Sequence, residues 1–383
     1  MTQLTVSSGF DSGAIEVEQS TDATDIRLRI RSDNAAAFAQ WFHFRVQGAA
    51  AQALTLRFVN AGQCAYTDGW EGYQVVASED RQHWFRIPTS YDGATMTAQV
   101  TPRTNSIYFA YFEPYSWERH LNLIASAARS DHVLVQHLGQ TADGRDLDLL
   151  RITNADSLVA APQKRNIWLI ARQHPGETMA EWFVDGLLER LLDGNDALSR
   201  VLLQQCIFHV VPNMNPDGSV RGNLRTNALG VNLNREWAQP SMERSPEVLL
   251  VRARMESTGV DLCLDVHGDE GLPYNFVAGA DGIPGFGPRL RDLQDAFKAA
   301  WITCNPDFQD RVNYGATHAN KANMALATNW VAHRFDCLAL TIEMPFKDNA
   351  DLPDPVHGWS SVRSRRLGAS VLQAVRAVAD SLR

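Results

Sequence analysis

The stretch Asn166-Ile167-Trp168-Leu169-Ile170-Ala171-Arg172-Gln173-His174-Pro175-Gly176-Glu177 starts as an apolar run and ends on two metal-type side chains. A short apolar run bounded by turn residues reads as a buried strand. The Pro175-Gly176 pair holds His174 and Glu177 on a turn, and a helix is expected over Thr178 to Leu192. Further apolar strands are expected at Cys206 to Val211, Leu262 to Val266 and Leu338 to Ile342, with a closing helix over Trp359 to Leu382. Strands that alternate with helices indicate an α/β layer fold. His174 follows the first strand, His267 follows Leu262 to Val266, and Glu343 follows Leu338 to Ile342. Open α/β sheets collect ligands beyond the carboxyl ends of their strands. A lone His-x-x-Glu is common in proteins without metal. Its placement at a strand end, with a second strand-terminal histidine, makes His174, Glu177 and His267 candidate ligands. Two imidazoles and one carboxylate leave a fourth position for water, and Glu343 is left over to take that water's proton. The other histidines lack this combined placement.

Upstream, the chain changes character. Ile26 to Ile30, Trp41 to Val46, Leu54 to Val59, Tyr73 to Ala77, Trp84 to Ile87, Thr97 to Val100 and Ser106 to Tyr111 are short β-like segments separated by turn residues. That spacing suggests an antiparallel β-sandwich. Trp117 to Ala128 is helical in pattern, and His132 to Leu138 and Leu147 to Thr153 alternate as strands. We therefore expect an N-terminal β-domain over residues 1–118 and an α/β domain with a mixed sheet over residues 119–383. Trp41, Trp70, Trp84 and Trp117 are expected in cores or at the contact between domains.

The bulk properties narrow the function. With 383 residues and a formal net charge of -9, the chain is long enough for two domains and lacks the basic balance of a nucleic-acid-binding surface. It contains no apolar run of ~18 residues, so no membrane span is expected, and no secretory pattern stands at Met1 to Gly13. Cys64, Cys206, Cys263, Cys304 and Cys337 are scattered and show no zinc-finger spacing, which fits reduced thiols in a cytoplasmic protein.

The long segment Pro212 to Trp237, PNMNPDGSVRGNLRTNALGVNLNREW, leaves the same expected sheet end. It has little regular pattern, and long ordered loops in compact domains are usually functional. It carries Arg221, Arg225 and Arg235. A guanidinium binds a carboxylate through two parallel hydrogen bonds, and asparagine adds neutral donors beside it. A solvated polar loop would have a similar composition.

In order, the chain holds His174-Pro-Gly-Glu177, Asn215-Pro216-Asp217-Gly218, Asn234-Arg235, His267 and Glu343. This set resembles the zinc carboxypeptidases of the carboxypeptidase A superfamily. Phe10-Asp11-Ser12-Gly13, Trp41 to Val46, Tyr111-Phe112-Glu113-Pro114-Tyr115-Ser116 and Gly222-Asn223-Leu224-Arg225 are similar to signatures of its cytosolic carboxypeptidase branch, so the resemblance covers nearly the whole chain. It implies one zinc ion per chain on His174, Glu177 and His267, with Glu343 as general base and later proton donor. It also implies that Arg225 polarises the scissile carbonyl, while Asn234 and Arg235 bind the terminal carboxylate of a peptide or protein tail. Relatives often carry aspartate where this chain has Asn232, and Tyr314 is the candidate for the tyrosine that digestive relatives bring over the substrate. The branch further suggests a preference for glutamate or aspartate at the C-terminus, for which Lys321 and Arg311 are candidate basic residues. Two other functions share parts of the pattern. An amidohydrolase of small N-acyl amino acids, like aspartoacylase or a desuccinylase, would have the His-x-x-Glu scaffold, but Asn-Pro-Asp-Gly and the β-domain count against it. A non-catalytic zinc-binding module that docks a partner would not need the intact set.

Overall fold

The computed structural model describes residues 4–315, 318 and 320–382. The N-terminal half contains two five-stranded sheets. One runs Thr5–Ser7, His43–Gln47, Ser106–Ala110, Val76–Ser78, Phe85–Arg86, and the other Glu16–Gln19, Ile26–Arg29, Leu54–Phe58, Met96–Val100, Thr89–Tyr91. Alternation explains the packing. Leu54, Leu56 and Phe58 are buried, whereas Thr55 and Arg57 between them are only half-buried. Aromatic rings join the two inner faces: the Phe44 ring centroid lies 6.1 Å from that of Phe58 in the facing sheet and 5.2 Å from that of Phe109 in its own. Trp41, Trp70 and Trp84 are buried, as expected. Pairing is antiparallel except between Ile26–Arg29 and Leu54–Phe58, which run parallel. The chain between these two strands passes through the other sheet at His43–Gln47, and that crossover is what a parallel pair requires.

The C-terminal half is built on a seven-stranded mixed sheet. Its order is Val133–Gln140, Asp146–Ile152, Cys206–Val211, Arg165–Ala171, Leu262–Asp269, Leu338–Pro345, Phe276–Ala278. The central four strands are mutually parallel, and the outer pairings are antiparallel. Cys206–Val211 is buried at every position, as is usual for a parallel strand covered on both faces. The helices Met179–Leu191 and Ser361–Ala379 pack closely together. Two glycines allow this approach: a Cβ on Gly186 would lie 2.0 Å from the Arg365 carbonyl oxygen, and one on Gly368 would lie 1.9 Å from that of Phe183.

Two strands run further than their apolar cores suggest. Leu262–Asp269 and Leu338–Pro345 continue past Val266 and Ile342, so His267 and Glu343 lie within the ladder and directly face each other in register. The segment Pro212 to Trp237 is also more regular than its composition suggests. It contains the helix Pro216–Arg221, ended by Gly222 at a φ of 69°, and a 3-10 turn at Leu233–Arg235. No helix among the described residues is long and apolar enough to cross a membrane.

Candidate metal centre and substrate cleft

Arg165–Ala171 lies between Cys206–Val211, the next strand in the chain, and Leu262–Asp269, the one after. Strand order therefore reverses at Arg165–Ala171, the kind of point where α/β sheets open a crevice. Beyond it, Arg172 takes a φ of 59°, unfavourable for a residue with a Cβ. Its buried guanidinium secures the turn, donating to the carbonyl oxygens of Pro175 at 2.9 Å and Tyr115 at 2.9 Å and to Glu181 at 2.7 Å. The turn then brings His174 and Glu177 to face His267.

One ligand atom from each of His174, Glu177 and His267 lies within 4.8 Å of the others, and all three residues are buried. His174 Nδ1 is 2.7 Å from Glu177 Oε1, and His267 Nδ1 is 2.8 Å from Glu177 Oε2. The two Nδ1 atoms are 3.2 Å apart. Two nitrogens on one tetrahedral zinc at the usual bond length of 2.0–2.1 Å would be about 3.3 Å apart, so the donor set fits that ion. The far side of each ring fits as well. His174 Nε2 lies 3.1 Å from Asn232 Oδ1, and His267 Nε2 lies 3.0 Å from Asp265 Oδ1. Each acceptor calls for the Nε2–H tautomer, which leaves an Nδ1 lone pair on the ligand side. Asp265 is itself held by Gln173 Nε2 at 2.9 and 2.8 Å, and Gln173 by the Trp237 indole at 2.9 Å.

The charges in this cluster call for a cation. Burial opposes charge on His267, but Asp265 and Glu177 outweigh it and raise the imidazole pKa well above its ordinary value. Burial likewise opposes charge on Glu177, but His174 and His267 outweigh it and keep the carboxyl well below the usual range. His174 is pushed down to about 4, first by burial and then by Arg225. A divalent ion held by these side chains would bring positive charge between the two carboxylates, and it would bind the histidines in their neutral form.

Glu343 joins the cluster from the adjacent strand. It is buried, its Oε2 has no hydrogen-bond partner among the described residues, and burial raises its pKa well above the ordinary carboxylate value. A nearby dication acts in the opposite direction. Tyr314 is 56% exposed, yet its hydroxyl points inward and donates to Asp269 Oδ2 at 2.5 Å. Glu343, Tyr314, Arg225, Asn234 and Arg235 line one cleft of about 590 Å³ together with the three candidate ligands. Asn234 is oriented by the Ala327 N–H, which donates to its Oδ1 at 2.9 Å. Arg235 donates to the Asn234 carbonyl oxygen at 2.7 Å, and burial and then the neighbouring Arg225 lower its pKa. Two guanidiniums side by side in a polar cleft suit a carboxylate.

Other candidates lie elsewhere. Arg221 forms a two-pronged pair with Asp143 at 2.8 Å on both arms, outside the cleft lining. Arg311 is paired with Asp351 at 2.5 Å, Lys321 is exposed, and neither lines the cleft. The Asn-Pro-Asp-Gly stretch is structural. Asn215 Oδ1 caps its helix by accepting from Gly218 N at 3.0 Å, and Asp217 anchors the hairpin residues Thr141, Asp143 and Arg145 at 2.7–2.8 Å. Sequence reasoning missed Arg172, Gln173, Asp265 and Glu270. Glu270 also lines the cleft, its Oε1 has no hydrogen-bond partner among the described residues, and burial followed by Glu177 pushes it up to about 8. Asp265-Val266-His267 did carry a signal, since a carboxylate two residues before a ligand histidine lies on the same face of a strand.

Residues 6–112 match the model of the cytosolic carboxypeptidase N-terminal domain, and residues 119–358 match that of zinc carboxypeptidase. Cytosolic carboxypeptidase 6 of Mus musculus is 30% identical over 301 residues, which cover 72% of this chain and 55% of that protein. The chain thus spans about half the length of that relative. A metallo-carboxypeptidase from Burkholderia cenocepacia is 48% identical with a TM-score of 0.96, covering 99% of this chain and 100% of the other. A metallo-carboxypeptidase from Pseudomonas aeruginosa, solved with (2-guanidinoethylmercapto)succinic acid, is 47% identical with a TM-score of 0.94, covering 99% and 100%. The chain belongs to the zinc carboxypeptidases, in the branch that carries a cytosolic carboxypeptidase N-terminal domain.

Proposed function

We propose that this hydrolase removes one residue from the C-terminus of a peptide or protein tail, with His174, Glu177 and His267 holding one zinc ion per chain. The observation that carries the reading is the meeting of two Nδ1 atoms and a carboxylate, with a Glu343 oxygen that has no partner among the described residues in the same cleft. Bound there, zinc supplies Lewis acidity, which acidifies a water and polarises a carbonyl. Asn234 and Arg235 bind the terminal carboxylate and set the scissile bond in reach. Glu343 takes the proton of the attacking water and returns it to the leaving amine. Arg225 donates to the carbonyl oxygen as negative charge develops there. The succinic acid derivative bound by the Pseudomonas aeruginosa relative supports a cleft that reads carboxylates.

Three extensions stand apart. The domain division is placed at 118/119, in the first turn of the helix Trp117–Ala127. A cytoplasmic location rests on the likeness to cytosolic carboxypeptidases. A preference for glutamate or aspartate rests on the resemblance to the cytosolic carboxypeptidase branch, because Arg225 and Arg235, the arginines that line the cleft among the described residues, already have the roles given above. Faster cleavage of leucine-tailed than of glutamate-tailed peptides removes that preference and leaves the rest intact.

The test is release of a free amino acid from peptides, with and without a chelator, alongside zinc content. Glu343→Gln is expected to keep its zinc and lose about 10²–10⁴ in kcat, the usual weight of a general base. Activity that ignores the chelator and survives Glu343→Gln overturns the proposal.

A further inference from the structure

The N-terminal domain reaches the catalytic machinery through one carboxylate. Asp33 lies in the turn bounded by the Ser32–Ala39 bridge and is 6% exposed. It is separated by some 190 residues of chain from the segment it binds. Its Oδ1 accepts from Leu224 N at 2.5 Å. Its Oδ2 accepts from Arg225 N, Thr226 N and Thr226 Oγ1, each at 2.9 Å. Three successive backbone N–H groups and a hydroxyl thus converge on a single side chain. A carboxylate acceptor makes such bonds stronger than neutral ones.

The same strip touches the metal turn. The Leu224 carbonyl oxygen accepts from Gly176 N at 2.8 Å, between His174 and Glu177. Leu224 is therefore held by Asp33 on one side and by the candidate metal turn on the other. The Arg225 guanidinium is flanked by two rings of the N-terminal domain, 5.4 Å from Tyr66 and 5.8 Å from Phe38. Tyr66 is fixed in turn by Gln40, which accepts from its N–H at 3.2 Å and donates to its carbonyl oxygen at 3.0 Å. Beside the clamp, Asn34 and Asn223 exchange amide hydrogen bonds at 2.7 and 3.2 Å, and Asn34 Nδ2 donates to the Ala228 carbonyl oxygen at 2.6 Å. Close packing leaves little slack: a Cβ on Gly230 would lie 2.4 Å from the Ala35 carbonyl oxygen.

We infer that Asp33 is a positioning residue for Arg225, so that the N-terminal domain is a structural part of the active site. The inference rests on the role proposed above for Arg225. Asp33 does not line the cleft. It fixes the backbone from which the guanidinium extends, while Phe38 and Tyr66 limit the directions the guanidinium can take.

Full-length Asp33→Ala, Arg225→Ala and the double variant test this through zinc content, kcat and KM. Asp33→Ala is expected to retain zinc and lose about 10–100-fold in kcat, the scale of a catalytic group displaced by an ångström. In the Arg225→Ala background the same change should cost no more than about two-fold further, because the two residues act as one unit. If Asp33→Ala does not fold, Thr226→Val removes one of the four bonds and should lower kcat by about 2–5-fold. Wild-type kcat in a folded, zinc-loaded Asp33 variant overturns the inference, as do losses that multiply independently of Arg225. Arg225→Ala with unchanged kcat refutes the proposed role of Arg225 itself, a failure distinct from that of the clamp.

Discussion

Four residues apart, one on the turn before the helix Met179–Leu191 and one in its first turn, Glu177 and Glu181 each sit buried against a histidine, yet the two sites have different characters. Glu181 Oε1 meets His120 Nδ1 at 2.6 Å, while its Oε2 accepts from Arg172 at 2.7 Å and from Asn213 at 3.1 Å. The permanent charge of Arg172 balances the carboxylate, and His120 lies flat on Trp117 with ring centroids 4.6 Å apart. Glu177 instead faces two imidazole Nδ1 atoms, and among the described residues no lysine or arginine is hydrogen-bonded to it. A buried His–Glu pair alone is therefore no sign of metal. The distinguishing features are a second convergent nitrogen and the lack of a protein cation.

Exchanging each glutamate for its amide separates the two sites. Glu177→Gln alters one of the three proposed ligands and should weaken zinc binding by roughly 100-fold or more, one ligand's share of the binding energy of protein zinc sites. Activity should fall in parallel. Glu181→Gln strands the buried Arg172 charge and should cost about 3–5 kcal/mol of stability, read from denaturant unfolding. Its folded fraction should still bind zinc stoichiometrically. If Glu181→Gln loses zinc specifically while Glu177→Gln loses only stability, the contrast fails.

The outer partners of the two candidate ligand histidines sharpen the same contrast. Asn232 offers His174 a neutral acceptor, and Asp265 offers His267 a charged one. Either Asn232→Ala or Asp265→Asn should reduce zinc affinity by about 10–100-fold, the usual weight of such partners. Asn232→Asp places a charge behind His174 and should tighten zinc binding, measured by competition with a chromogenic chelator. Weaker binding in Asn232→Asp would mean that Asn232 serves the 3-10 turn, through its 3.1 Å bond from Asn234 N, more than it serves the ligand.

Which parts could be read in advance follows from how far each signal extends along the chain. Arg165–Ala171 and Cys206–Val211 are compact apolar runs, and the motif residues beside them mark a sheet end. The tails of Leu262–Asp269 and Leu338–Pro345 pass through polar residues, so apolar content alone ends those strands too early and hides the His267–Glu343 register. Arg221 and Arg225 look alike within their loop. Only Asp143 on a distant hairpin and Asp33 in the other domain separate a surface ion pair from a cleft residue. Partners some 80 to 190 residues away leave no periodic trace. The φ of Arg172 has no periodic cue either, because one of the acceptors that hold it is the Tyr115 carbonyl oxygen, 57 residues away.

A third kind of buried histidine, with neither acid nor metal, sets the smallest expected effect. His209 stacks on Trp168 and meets Asn166 Oδ1 at 3.1 Å, and His43 meets Ser12 Oγ at 3.0 Å. Burial pushes both down to about 3. A folded pKa below the unfolded value of about 6.5 means that the unfolded chain binds the proton first. The contribution of each is therefore intact above pH 6.5 and declines as pH falls toward 3, by about 2–3 kcal/mol at pH 4.5. Glu247 works in the opposite sense. Burial raises it to about 7, so its contribution is full below its unfolded value near 4.5 and is lost as pH rises through 7. His209→Gln keeps a donor for Asn166 and cannot titrate. Denaturant unfolding of that variant should show a shallower loss of stability between pH 6.5 and 4.5 than the native chain. An unchanged slope would place the proton uptake on unfolding at other groups and leave His209 a packing residue alone.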